Sequence, residues 1–503
     1  MRLRTRFVAA VLAFVTVLIV LIGLAAAMLT ADPAQFRVQP NIVFVLVDDL
    51  DADLLEFMPT VKSLLVAQGV TFSNFFVNVS LCCPSRASIL RGQYAHNTQI
   101  LTNQLPTGGF QKFYALGHED ATVAAWLQAA GYRTCYLGKY LNGYPAGVLP
   151  THVPSGWTEW YSPVAGNPYS NFNYVMNENG KLVRYGSRPE DYLTDVVAGK
   201  SVDFIKRAAA EGRPFFIHLA LYAPHSPATP APRHAQLFAD AQLPRPPSFN
   251  EADVSDKPSY IRNRPLLNAQ QIAQMQDFYR KRLQSLQAVD EMIAGLIEAL
   301  EATGQLENTY IFFTSDNGFH MGEHRLNSGK QTAYEEDIRV MLLVRGPGVP
   351  AGRVLEHLVG NIDLAPTFAE LGGAAIPDFV DGRSLVPLLG SNPPTIEMWR
   401  QGFLIEHWNQ QRREAFHAAG VWEPSDPMEL DQTQQVAIPG FAALRTKDYL
   451  YVEYVTGERE LYDLKNDPYQ LESLHAKVDP ALLQILSAQL AKLKTCAGAS
   501  CRE

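Results

Sequence analysis

Four short apolar runs along this chain stop abruptly in polar residues of a few chemical types. Ile42 to Val47 runs into Asp48 and Asp49, "GYRTCYLGKY" into Lys139, "RPFFIHLALYAPHSP" into His225, and "NTYIFFTSDNG" into Asp316 and Asn317. Such continuous runs predict central parallel strands covered on both faces, since a half-exposed strand would alternate. Leu283, Leu286, Val289, Ile293, Leu296, Ile297 and Leu300 recur at helical spacing and end before Gly304, which predicts a long amphipathic helix. Strand, helix and strand together predict an α/β fold, and in open parallel sheets ligands bind at the carboxyl ends of the strands. The polar residues gather at those ends.

Past "GNIDLAPTFAELGG" the pattern changes. "FAALRTKDYLYVEYVTGERELYDLKNDP" reads as antiparallel strands with tight turns, followed by an amphipathic helix from about Ala481 to Leu493. We therefore expect a catalytic domain over residues 40–374 and a smaller C-terminal subdomain over residues 375–503. The Pro-rich stretch from Ala239 to Pro265 reads as a long surface excursion that could wall a cleft. At the other end, Arg2, Arg4 and Arg6 precede an apolar run from Phe7 to Met28. Residues 1–31 thus read as a signal peptide or an N-terminal membrane anchor, placing the remainder outside the cytoplasm: extracellular, periplasmic, at the cell surface, or lysosomal in a eukaryote.

With 503 residues, 47% hydrophobic and 18% charged, the chain can bury a large core. Its net charge of -9 excludes a general electrostatic grip on nucleic acid, so an anionic substrate must meet a local positive cluster. Cysteines can pair outside the cytoplasm, and Cys496 and Cys501 in "CAGASC" are placed to close a short terminal loop. Cys82, Cys83 and Cys135 leave an odd count.

Asp48, Asp49, Asp316 and Asn317 offer hard oxygen ligands suited to Ca²⁺ or Mg²⁺ rather than Zn²⁺, although each pair alone could merely cap a turn. Arg86, Lys139, His225 and Lys330, if clustered opposite a cation, would grip a tetrahedral oxyanion. Between these sets stands "LCCPSRASILRG". A reactive thiol there would need a base and would risk oxidation, a disulfide between adjacent cysteines would strain the peptide, and a zinc site would want further ligands.

"CCPSRASILRG" resembles the first signature of type I sulfatases and "GYRTCYLGKY" their second. The similarity continues through "DD", "PHSP", "SDNG", Lys330 and "NIDLAPT" to "LYDLKNDP". In motif detail the chain is most similar to N-acetylglucosamine-6-sulfatases. The resemblance implies an alkaline-phosphatase-like sandwich in which Cys82 is converted to formylglycine by a dedicated formylglycine-generating enzyme. The hydrated aldehyde would be the nucleophile, and one Ca²⁺ would be held by Asp48, Asp49, Asp316, Asn317 and the modified Cys82. Arg86 would steady the hydrate, while Lys139, His225 and Lys330 grip sulfate or protonate the leaving alcohol. The substrate implied is a sulfated carbohydrate or an aryl sulfate.

Two departures stand out. Many arylsulfatases carry a histidine at the position of Leu141, and Arg91, where threonine is common, reads as a tolerable surface change. His320 and His324 either touch substrate or are structural, and His96 either supports the site from behind or is structural. A broad arylsulfatase, a phosphate or phosphonate ester hydrolase on the same frame, and a non-catalytic binder of sulfated glycans are the competing readings.

Overall fold

In the computed structural model, which describes residues 39–409 and 437–502, the four apolar runs are strands of one large sheet. Its strands are β1 (Asn41–Val47), β2 (Val70–Phe76), β3 (Arg133–Gly138), β4 (Glu159–Gly166), β5 (Tyr174–Glu178), β6 (Lys181–Tyr185), β7 (Phe215–Ala220), β8 (Thr309–Ser315), β9 (Arg339–Arg345), β10 (Arg353–Leu355) and β11 (Val359–Gly360). They lie in the order β10-β2-β9-β8-β1-β7-β3-β4-β5-β6, with β11 also on β2. The stretch from β8 through β1, β7 and β3 to β4 is parallel. Antiparallel strands flank it on both sides, β9 beside β8 and β5 with β6 beyond β4.

The centre is parallel because its strands are apolar on both faces. Val43, Val45 and Val47 of β1 enter one apolar layer, and Ile42, Phe44 and Leu46 enter the other. Each such side chain contributes about 1.5–3 kcal/mol by leaving water, a gain available on both faces only inside a covered sheet. β6, at an edge, is largely exposed and polar.

Helices supply the cover. Among them are α1 (Cys82–Arg91), α2 (Leu193–Glu211) and α3 (Ala269–Ala302). The leucine-rich stripe of α3 is buried as its spacing predicts, but the helix starts earlier, at a reciprocal cap between Asn268 and Gln271. α2 and α3 pack on the Val43 layer, and α1 packs on the other through Cys83, Ala87, Ile89 and Leu90. Cys83 and Cys135 consequently sit in layers on opposite faces of the sheet.

The C-terminal strands form a second sheet of β12 (Phe403–His407), β13 (Phe441–Arg445), β14 (Tyr449–Tyr454) and β15 (Arg459–Asp463), all antiparallel. Helix α4 (Pro480–Leu493) buries Leu486 and Leu490 against it. A disulfide joins Cys496 and Cys501, as the spacing predicts. Part of the Pro-rich stretch runs over the surface as expected, and part of it is pinned. Lys257 is fully buried and donates to the carbonyls of Gln470 (2.7 Å) and Leu471 (2.8 Å), while Ser259 is bonded to Glu458. Among the described residues no helix is long and apolar enough to cross a membrane, and the run from Phe7 to Met28 lies outside them.

Candidate active site

The parallel strands deliver their terminal residues to one place. β1 is followed directly by Asp48 and Asp49 and β8 by Asp316 and Asn317, and all four are buried. Adjacent residues of an extended strand point to opposite faces, so both aspartates can meet only if the backbone leaves the strand conformation. Asp49 does so, with φ of 63°, a left-handed conformation that costs a non-glycine residue about 1–2 kcal/mol.

α1 presents Cys82 as its first residue, and Pro84 is tolerated in the first turn because that turn has no intrahelical acceptor for its N–H. Four residues separate Cys82 from Arg86, so the two share a helix face. Ser85 locks the helix in place: its hydroxyl donates to the Asp316 carbonyl (2.5 Å) and accepts from Asn361 Nδ2 (3.0 Å). The C-x-P-S-R spacing is therefore a packing device as well as a chemical one.

All the site residues read from sequence converge. Cys82 Sγ lies 3.4 Å from Asp48 Oδ1 and 2.8 Å from Lys330 Nζ, which also donates to Asp49 Oδ1 at 2.5 Å. Lys139 Nζ donates to Asp48 Oδ2 (2.6 Å). Arg86 donates through Nε to Asp316 Oδ2 (2.8 Å) and through Nη1 to the Lys139 carbonyl (2.7 Å). Asn317 Nδ2 donates to Asp49 Oδ1 (2.6 Å), and His225 Nε2 stands 3.6 Å from Asp49 Oδ2. Asp48, Asp49, Cys82 and His225 each bring one ligand atom within 4.8 Å of the others. His225 joins this group, whereas the Asp316 carboxylate is turned toward Arg86 and the Asp49 amide.

The electrostatics follow from this crowding. Burial opposes ionisation of Asp48, but Lys139, His225, Arg86 and Lys330 outweigh it and hold the carboxyl far below the usual range. Burial and the Asp48 carboxylate push the Cys82 thiol up, against the pull of Lys139 and Lys330. An activated cysteine needs the opposite shift. Among the described residues Asp49 Oδ2 and Asn317 Oδ1 are buried and take no hydrogen bond. Two unsatisfied oxygens beside two further carboxylates fit a hard divalent cation, whose ligands are such oxygens.

Several residues play other parts. His324 is fully buried, bonded to Glu251 through Nδ1 (2.7 Å) and stacked on Tyr334. His320 is bonded to Asp337 (2.8 Å), and His96 joins Glu406 to the Cys496 carbonyl, each at 2.9 Å. Leu141 is in the apolar core. Arg91 is not on the surface: it is 7% exposed, donates to Gln93 and to the Ala121 carbonyl, and lies 4.4 Å over the Phe379 ring. Tyr169 and Arg282 escaped the sequence reading. The Tyr169 ring packs on Lys139 (5.0 Å) and His225 (4.8 Å), and nothing local in "NPYSNFN" announces it. Arg282 carried a signal: a charge in line with the apolar stripe of α3.

Buried carboxylates faced by Lys139, Arg86 and Lys330, at the carboxyl ends of a covered sheet, form a charge arrangement suited to chemistry on an anionic ester. The Sulfatase family profile matches residues 40–374, and the chain belongs to this family of sulfuric ester hydrolases. It is 38% identical over 491 residues to N-acetylglucosamine-6-sulfatase of Homo sapiens, covering 92% of this chain and 86% of that one. It is 36% identical over 526 residues to an arylsulfatase of Volvox carteri, covering 96% and 78%. A solved structure in complex with its substrate D-glucosamine-2-N,6-O-disulfate shares the fold, with a TM-score of 0.74 at 24% identity, over 91% of this chain and 97% of that one.

Proposed function

We propose that the enzyme removes 6-O-sulfate from N-acetylglucosamine in a sulfated glycan, with Cys82 converted to formylglycine and one Ca²⁺ held by Asp48, Asp49, Asp316, Asn317 and the modified residue. The observation that carries the reading is the setting of Cys82, buried between Asp48 and Lys330 with its thiol pushed up. A thiol so placed is ill-suited to act as a thiolate nucleophile. The substrate class is supported by the relatives named N-acetylglucosamine-6-sulfatase and by the glucosamine disulfate held in the structural neighbour.

A cation held there beside the hydrated aldehyde would supply an oxygen nucleophile of lowered pKa. The chain's own residues do the rest. Arg86, braced by Asp316 and the Lys139 carbonyl, steadies the modified residue. Lys139, Lys330 and His225 neutralise charge on the sulfate oxygens, preorganised by burial. His225 Nδ1–H donates to the Ser226 carbonyl (2.9 Å), so Nε2 is turned toward Asp49 and the site, where the ring, when protonated at both nitrogens, would give the Nε2 proton to the departing alcohol. Maturation requires a formylglycine-generating enzyme, and an exported location is supported by the Arg-flanked apolar N-terminus and the Cys496–Cys501 disulfide.

Mass spectrometry of the Cys82 peptide, with turnover of 6-O-sulfated N-acetylglucosamine, an aryl sulfate and the matching aryl phosphate, tests the proposal. We expect formylglycine and a preference for the sugar sulfate. An unmodified cysteine in active enzyme, or a large preference for phosphate, would overturn it.

A further inference from the structure

The left-handed turn at Asp49 is gripped from two sides. From β8, Asp316 Oδ1 accepts from the Asp49 amide (3.2 Å) and Ser315 Oγ from the Leu50 amide (2.8 Å). From α3, Arg282 reaches across with a fully buried side chain. Its Nη2 donates to the Asp49 carbonyl and its Nη1 to Asp51 Oδ2 (2.8 Å), while Met321 Sδ lies 3.2 Å away. The guanidinium also lies 4.6 Å over the ring of Phe319, two residues beyond Asn317. One planar group thus bridges the loop after β1 and the loop after β8, the two that bear the oxygen ligands.

We propose that Arg282 is a positioning residue for the cation: it fixes the Asp49 carbonyl, and with it the direction of the Asp49 carboxylate, so that adjacent aspartates face one centre. Arg282 touches neither the Asp49 carboxylate nor Cys82 in its hydrogen bonds. A buried arginine in the apolar stripe of a helix is costly to desolvate, and here the fork it makes to a carbonyl and a carboxylate offsets part of that cost, with Nε taking no hydrogen bond among the described residues. Lysine would keep the charge but could not span both acceptors with a rigid fork. The idea rests on the reading of Asp48 and Asp49 as cation ligands.

Calorimetric titration of Ca²⁺ into the chelator-treated, matured full-length enzyme tests it, comparing the parent with Arg282→Lys and Asp51→Asn at equal Cys82 conversion. Residues that orient ligands typically cost 10–100-fold in metal affinity, so we expect about tenfold or more for Arg282→Lys and about threefold for Asp51→Asn. At saturating Ca²⁺ kcat should return toward the parental value, a split that general destabilisation would not give. Parental Ca²⁺ affinity in folded Arg282→Lys overturns the proposal. If that variant does not fold, parental affinity in Asp51→Asn overturns it. A parent enzyme that binds no Ca²⁺ overturns the cation reading beneath it.

Discussion

Glu460, on β15, is as deeply buried as Asp48, yet the two carboxylates live in opposite surroundings. Glu460 accepts from the hydroxyls of Tyr334 (2.9 Å), Tyr454 (2.5 Å) and Tyr462, and both of its oxygens are used. Burial raises its pKa in spite of those donors. Asp48 faces Lys139, Arg86 and Lys330, permanent charges that hold it ionised, and its neighbours Asp49 and Asn317 keep oxygens without hydrogen bonds. Neutral donors that engage both oxygens build structure. Fixed charges around unused oxygens build a place for something else to bind.

The largest effect that could break this contrast is expected from Cys82→Ala. Turnover should fall about a thousandfold or more, while the free energy of unfolding in urea stays within about 1 kcal/mol of the parent. An active variant would mean that the crowding around Cys82 has no bearing on the chemistry. Glu460→Ala should do the reverse, lowering unfolding stability by about 3 kcal/mol because three hydroxyls lose their acceptor. Its kcat in the folded state should stay within about twofold, and a large loss there would erase the distinction between the two centres.

A smaller effect is expected at Glu251, whose carboxyl burial pushes up to about 7. Its Oε2 is bonded to His324, and Lys257 lies 3.6 Å from Oε1. The folded chain holds this proton more tightly than the unfolded chain, where the value is 4.5. Its contribution is therefore full below about 4.5 and lost as pH rises through about 7. After allowance for screening, Glu251→Gln should remove about 1 kcal/mol of the stability difference between pH 5 and pH 8 in urea titrations. Equal differences in the two proteins would show that Glu251 does not titrate with folding.

The parallel strands and the long helix were legible because their patterns are local: continuous apolar runs and a stripe at helical spacing. Most site residues were legible because they follow those strands closely or stand in the C-x-P-S-R segment, whereas Lys330, in the loop well past β8, gained its role from the family resemblance. Arg91 was misjudged because its carbonyl partner at Ala121 and the Phe379 ring are distant in sequence. β12 escaped because its five residues pair only with β13, which begins at Phe441. The Pro-rich stretch read as exposed because its prolines mark loops, and nothing in it reveals that Lys257 inserts beneath Gln470 and Leu471.

In the folded chain Cys82, Cys83, Pro84, Ser85 and Arg86 are all buried within α1. An enzyme that must read this segment residue by residue can do so only while the helix has yet to form and dock. Folding is then a deadline. A chain that passes it unmodified would keep a buried cysteine at the start of α1, and only unfolding would offer a second opportunity. On the proposed conversion of Cys82, the share of the population that becomes active would be set by a race between modification and folding, before any substrate is met.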